Sequence, residues 1–568
     1  MRTLLGAVLI WTFASATVYG QVQPEAADDI YLGGDILTMN PAQPLAEALA
    51  VKDGKIIAVG KDAELKRYYK HGTTRSVDLQ GKALLPGFLD AHSHYVHTLS
   101  VPNQLNLYPP PAGSGKDVPT IIQALSRFQK ERSIPPGEVI QAYGYDDTVM
   151  PAGRLLNRGD LDQALPDNPV VVLHVSMHGA VLNSAALKKW GIVAETETPP
   201  GGIIVRKPGS NEPWGLLMET AFLPIFAQLP KPDRDEQLRL TREAQLLYAA
   251  EGITTVHDGA THAHELEIMQ RAAGAGANLL DVIVYPFITE LDAVLQDNPI
   301  ADWGKYRNRL KIGGVKITVD GSPQGRTAYF TEPYLTGGPG GEEDWRGELT
   351  FEQDTVNQMV KRVYDLGVPL NLHANGDAAI DAFLQAHGFA AGEAPGKDRD
   401  VTLIHSQFVR PDQLEKYAEY NVTPSLYTLH TYYFAEAHKK NRGAEQAAYI
   451  SPMRDAIDLG LAPTNHTDYI VAPLDQMFML WSAVNRVSRG GATFGAEQRV
   501  TAAEGLAAMT INVARQYNEE HLKGSLEPGK LADLVILDKN PLSVEPMAIR
   551  NIAVVATIKE GTTVYEAP

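Results

Sequence analysis

The sequence predicts an α/β fold: a (β/α)8 TIM barrel, a subdomain inserted after its first strand, and a small β-sandwich built from both chain ends. Three observations carry this expectation. Eight short apolar runs, several ending in His or Asp, lie between residues 83 and 468. Helical patterns follow several of them, as at 355–367 and 410–420. Hairpin-like text with Asp-Gly and Gly-Lys turns occupies 28–85 and returns after residue 516.

Taken in order, residues 1–20 read as a signal peptide, with Arg2 before a short apolar core and Gly20 at the cleavage point. The alternative is a retained N-terminal anchor. The run is too short to span a bilayer, and no later stretch reaches about 18 apolar residues. The chain has no Cys, which excludes disulfides and thiolate zinc sites. An exported protein, periplasmic or secreted, is expected.

Residues 28–85 supply the first part of the sandwich and 516–568 the second. Between them the candidate strands are 83–92, 252–260, 279–287, 310–321, 367–376, 400–407, 421–427 and 461–468. The step from residue 92 to residue 252 is far longer than the ~30 residues of a strand–helix–strand unit. An insertion over 97–230 accounts for it, leaving 86–96 and 231–515 for the barrel. The net charge of −18 and the lack of a basic stripe argue against a nucleic-acid partner. A homo-oligomer is allowed, and no oligomeric state is specified.

Six residues carry the chemistry: His92, His94, Lys316, His373, His405 and Asp468. Five lie within these candidate strands and His94 stands two residues past the first, and strand ends around a barrel mouth bring distant ligands together. His-x-His on a strand would put both imidazoles on one face. A second His-x-His, His262 and His264, follows a strand into a helix-like segment and is expected on the solvated surface. Nitrogen and oxygen ligands suit Zn²⁺, and Mn²⁺, Fe²⁺, Co²⁺ and Ni²⁺ tolerate similar sites.

The segments PGFLDAHSH, YDDTVMPAGRLLNRGDLD, HGAVLNSAAL, VKITVDGS with GRTA, HANGDAAID, IHSQ, HTD and PGKLADLVILD together resemble the amidohydrolase superfamily. The resemblance is to its family 3 branch of long chains, which includes N-substituted formamide deformylase and YtcJ-like proteins, and it covers nearly all of the chain after the signal. It implies that Lys316 is carboxylated and bridges two metals, with pairing of the lysine to Asp320 as the alternative. It implies that His373 and His405 hold a second metal and that Asp468 is the catalytic aspartate, accepting a proton from water and returning it to a leaving amine. His466 is either a hydrogen bonder behind the ligands or points outward. His178 is a substrate contact or a packing residue, and Arg326 orients substrate or ties its loop. His257, ending its strand near the presumed mouth, is a substrate contact or a residue behind the ligands. Tyr143, Tyr145 and Trp214 line an entrance or pack within the insertion, and the loop 426–441, with His430 and His438, shapes specificity.

The expected activity is hydrolysis of a C–N bond in a small N-substituted or N-acylated amide, with one or two divalent metals per chain. Ester or lactone hydrolysis on the same scaffold is the runner-up. A non-catalytic exported binding protein stands third, because it would be expected to have lost at least one of these residues.

Overall fold

The structure is a computed structural model that describes residues 25–568 apart from 111, 231 and 232. The signal-peptide expectation lies outside the described residues.

Three groups of strands organise the chain. The first is an eight-stranded sheet made from both ends. Asp29–Leu37 pairs with Leu45–Lys52 on one side and Ala83–Pro86 on the other, and Ala83–Pro86 pairs antiparallel with Leu534–Leu537. Val554–Lys559 and Thr562–Glu566 complete the far edge. The second is a six-stranded sheet of the insertion, running from Leu105–Asn106 to Gly202–Arg206. It packs a separate apolar core, including Ile121, Leu125, Leu161 and Val172, against the helices Val118–Glu131 and Arg158–Ala164.

The third group positions the site. Its strands are β1 (Phe88–Leu89), β2 (Ile253–Thr261), β3 (Asp281–Pro286), β4 (Leu310–Ile312, resuming as Val315–Thr318), β5 (Leu370–Ala374), β6 (Val401–His405), β7 (Val422–Leu426) and β8 (Thr464–Asn465). All neighbouring pairs are parallel and follow chain order. Along β4 and β5 the side chains alternate with period two. Val315, Ile317, Leu370 and Leu372 join the main apolar core, while Lys316, Thr318 and His373 line a cavity.

The break in β4 at Gly313-Gly314 has a steric cause. A Cβ on Gly314 would lie 2.2 Å from the Pro369 carbonyl oxygen, so only glycine lets β4 pass β5 there. The Ala508–Met509 segment bonds β8 through Asn465 N–H and approaches β1 through Leu89 N–H, each at 3.0 Å.

A buried ion network underlies β3 and β4. Asp281 Oδ2 accepts from Lys523 and Lys559, each at 2.6 Å, and Asp533 Oδ2 accepts from Lys559 at 2.7 Å. Glu519 Oε1 accepts from Lys311 at 2.5 Å. The network ties the middle of the chain to its C-terminal strands.

Candidate metal centre

β1 ends at Leu89, so His92 and His94 stand on an extension beyond the strand rather than within it. Backbone bonds hold that extension: Asp90 N–H donates to Thr255 and His94 N–H to Tyr469. The two imidazoles lie 5.2 Å apart between centroids. Asp468 follows β8 by three residues with a left-handed backbone (φ 53°), and His405 closes β6 with φ 72°. Such conformations are costly for non-glycine residues and concentrate where side chains must be aimed.

These residues meet. Asp468 Oδ1 lies 3.4 Å from both His92 Nε2 and His94 Nε2, and Oδ2 lies 4.0 Å from His405 Nε2. Among the described residues, His92, His94 and Asp468 form a group whose ligand atoms all fall within 4.8 Å of one another. Asp468 Oδ1 is buried with no hydrogen-bond donor, an arrangement that is costly unless a cation completes it. Lys316 Nζ is 3.3 Å from His92 Nε2, and the His373 ring is 4.6 Å from that of His405. All six sequence-derived residues therefore line one cavity.

Groups behind His94, His405 and His373 fix which nitrogen each presents. His94 Nδ1 bonds the Gly259 carbonyl at 2.9 Å, leaving Nε2 for Asp468's side. His405 Nδ1 bonds His466 Nε2 at 3.0 Å, and His466 Nδ1 reaches Ser425 Oγ at 3.0 Å. His466 is thus buried behind the site and does not point outward. His373 Nε2 lies 3.0 Å from Asn375 Nδ2 and 3.3 Å from Asp320 Oδ1, so Nδ1 is its freer nitrogen. Partners of this kind orient ligands and tune their basicity.

Asp320 does not pair with Lys316. Its oxygens accept from the backbone N–H groups of Asn375, Gly376 and Tyr329, clamping the turns after β4 and β5.

Electrostatics favour metal-ready forms. Burial drives His92 and His405 well below the usual histidine range, which keeps their rings neutral. Burial also pulls Lys316 down to about 7. Asp468 is held at about 2, since the surrounding His94, His466 and Lys316 outweigh the opposing effect of burial.

The structure places the remaining candidates and decides between their alternatives. His257 is fully buried and makes no part of the cavity wall; its Nε2 lies 3.1 Å from Asn371 Nδ2 and its ring packs 4.9 Å from His92. Burial on β2 puts it beneath the ligands, where it supports His92 rather than touching substrate. Arg326 faces a second cavity of about 280 Å³, shared with Tyr145 and Trp214, and its guanidinium bonds the Gly337 carbonyl. Tyr143 is packed edge-on to Tyr108. His262 and His264 are not simply solvated surface. Both line the main cavity, His262 paired with Glu290 at 2.5 Å, because the helix Ala263–Gly274 begins at the rim. His430 and His438 bond each other at 3.0 Å inside the loop after β7, away from the cavity lining.

The insertion brings in a pair that includes one residue the sequence did not flag. His178 lines the cavity 5.6 Å from His373 between ring centroids, and its Nδ1 bonds Glu219 Oε2 at 2.9 Å. Burial works against the charged ring, but Glu219 prevails and raises its pKa. No motif marks Glu219; its only sequence signal is a position at the end of an apolar run, WGLLME.

The cavity measures about 570 Å³. The metal-ligating cluster forms one wall, and Leu223, Phe226, Leu229, Ile268 and Phe287 give much of the remainder an apolar lining.

Gly259 seats His92. A Cβ there would lie 2.4 Å from His92 Cε1 and 2.9 Å from its Nδ1. Gly259→Ala is expected to displace His92 and weaken metal affinity ~10–100-fold, the usual cost of disturbing a ligand's support. A chelator-competition titration on the folded variant reads this, and unchanged affinity would remove His92 from the ligand set.

Ligands carried beyond parallel strands, opening on one large cavity, define a hydrolase that uses a divalent metal. The amidohydrolase family profile matches residues 75–565, so the chain belongs to the amidohydrolase family. It is similar to N-substituted formamide deformylase of Arthrobacter pascens, 26% identical over 548 residues, 95% of this chain and 98% of that protein. It is similar to the protein YtcJ of Bacillus subtilis (strain 168), 26% identical over 551 residues, 94% and 99% of the two chains. A solved structure of an uncharacterized metal-dependent hydrolase from Pyrococcus horikoshii ot3 shares its fold at a TM-score of 0.71. That pair is 24% identical, covering 91% of this chain and 99% of the other.

Proposed function

We propose that this protein hydrolyses the C–N bond of a small N-substituted amide carrying a bulky apolar group. The carrying observation is the convergence of His92, His94 and Asp468 at the wall of a 570 Å³ cavity whose lining is largely apolar. The cavity is far larger than an amide group needs and leaves room for the substituent. The similar Arthrobacter protein, by its name a deformylase of N-substituted formamides, supports the same substrate class.

In this reading the eight parallel strands close as a (β/α)8 barrel, with residues 97–230 inserted and the terminal sheet appended. The chain is exported. The cation is Zn²⁺, held by His92, His94 and Asp468, with a second held by His373 and His405 when Lys316 is carboxylated. A lysine with a pKa near 7 has the neutral amine that captures carbon dioxide.

When bound, the cation acidifies water and polarises the substrate carbonyl. Asp468 then does the proton work. Its carboxylate would accept the proton of that water. Oδ1 stays between the two imidazoles, while Oδ2 takes the proton and returns it to the leaving nitrogen. The apolar wall binds the substituent and excludes bulk water.

Elemental analysis and turnover on a panel of N-alkylformamides test the reading. Two metals per chain, falling to one in Lys316→Ala with at least ~100-fold loss of turnover, are expected. No bound metal, or metal without turnover of any amide, would overturn it.

A further inference from the structure

His178 immediately precedes the strand Gly179–Leu182 and Glu219 ends its antiparallel neighbour Pro213–Glu219, so the two flank the Gly179–Met218 pair. Glu219 N–H donates to the His178 carbonyl at 2.8 Å, so backbone and side chains both join the two residues. The turn before His178 is fixed from behind. Ser176 Oγ accepts from His178 N–H at 3.2 Å and meets His174 Nδ1 at 2.7 Å, and His174 Nε2 meets Asp147 Oδ1 at 3.0 Å. Met177 (φ 61°) and Glu219 (φ 51°) both take left-handed backbone here. The fold thus holds two uncommon conformations to bring one imidazole to within 5.6 Å of His373, in the same cavity as Asp468. With Nδ1 committed to Glu219, Nε2 is the ring atom left for a ligand.

We propose that the insertion lends the metal centre a substrate-anchoring hydrogen bond, made by His178 Nε2 to the amide group, with Glu219 as a positioning residue that acts only through His178. This rests on the amide-hydrolase reading above. It gives the insertion a task in turnover that packing alone does not require, since a buried ring orienter matters only if the ring it orients is used.

The test is a double-mutant cycle on metal-loaded full-length protein, with an N-alkylformamide and the matching alkyl formate ester as probes. His178→Gln and Glu219→Ala are each expected to lower kcat/KM by ~10–100-fold, the usual effect of losing one oriented hydrogen bond in a desolvated site. The double variant is expected to fall no more than ~3-fold below the worse single variant, because both changes remove one interaction. Glu219→Gln keeps an acceptor for the Nδ1–H and is expected to stay within ~5-fold of the unmodified protein. Metal stoichiometry and chelator-competition affinity stay unchanged throughout, which separates anchoring from a damaged metal centre. Additive losses, unaltered kinetics or loss of metal would each overturn the proposal. If the unmodified protein turns over the ester and no amide, the amide reading falls, and the same cycle on the ester still decides the pair. Turnover of neither probe overturns both.

Discussion

Asp468→Asn is expected to lower kcat by ~10³-fold while leaving the metal in place, within the 10²–10⁴ range attributed to a positioned acid–base group. The argument is one of shape against charge. Asparagine keeps an oxygen where Oδ1 lies, 3.4 Å from His92 and His94, and so keeps a coordinating atom. It loses the anion at Oδ2, the oxygen that in the proposed reaction takes a proton from water and returns it to the leaving nitrogen. In the unmodified protein the carboxylate, at about 2, stays ionised through the whole neutral range. His94→Ala offers the contrast, since it should cost metal first and activity as a consequence. Elemental analysis beside single-turnover kinetics separates the two. An Asn variant with full metal and full activity would end Asp468's catalytic role.

The second large effect lies away from the site. Asp281→Ala is expected to destabilise the fold by roughly 3–5 kcal/mol, the range for removing one partner from a buried ion pair. Asp281 is buried beside Lys523 and Lys559, both themselves buried, and its loss leaves one carboxylate fewer to balance their two ammonium groups. Burial alone would raise its pKa, but the two lysines reverse that and hold it well below the carboxylate range. The sign follows: a depressed folded-state pKa gives stability that is present above the unfolded value and lost only as pH falls through the folded one. Asp281 therefore contributes fully at neutral pH. The measurement is the apparent melting temperature of Asp281→Ala against that of Asp281→Ala with Lys523→Met. The double variant should recover part of the loss, because it removes the surplus ammonium while leaving Glu519 paired with Lys311 and Asp533 with Lys559. Equal melting temperatures for the single variant and the unmodified chain would mean that water already reaches the network.

The cluster of candidate ligands is legible because four histidines and an aspartate stand at or just past the ends of apolar runs, within motifs that resemble one family, and the structure brings all of them with Lys316 to one cavity. Spacing carries less. Period-two alternation predicts that His92 and His94 share a strand face, yet the strand stops at Leu89, and long-range backbone bonds to Thr255 and Tyr469 set the two rings side by side. Residues behind the ligands were the hardest to read. His257 and Arg326 differ in place by burial and loop path, which neither residue type nor spacing encodes. Glu219 looks like any glutamate, and its meaning comes from a histidine 41 positions earlier, reached through a sheet register. The second His-x-His misled for a related reason: the helix it opens was visible, but not the cavity rim on which that helix begins.

The terminal sheet also has a consequence in time. Ala83–Pro86, which runs directly into β1 and the extension bearing His92 and His94, lies between Asp29–Leu37 and Leu534–Leu537. During synthesis at about 5–20 residues per second, the strand that leads to the first ligands waits on the order of half a minute or more for its second neighbour to emerge. Until then one whole edge of that strand has no partner, whatever the middle of the chain has already built. The metal centre is in this sense finished from the C-terminus, and shortening the chain before residue 534 would reach it without touching a single ligand.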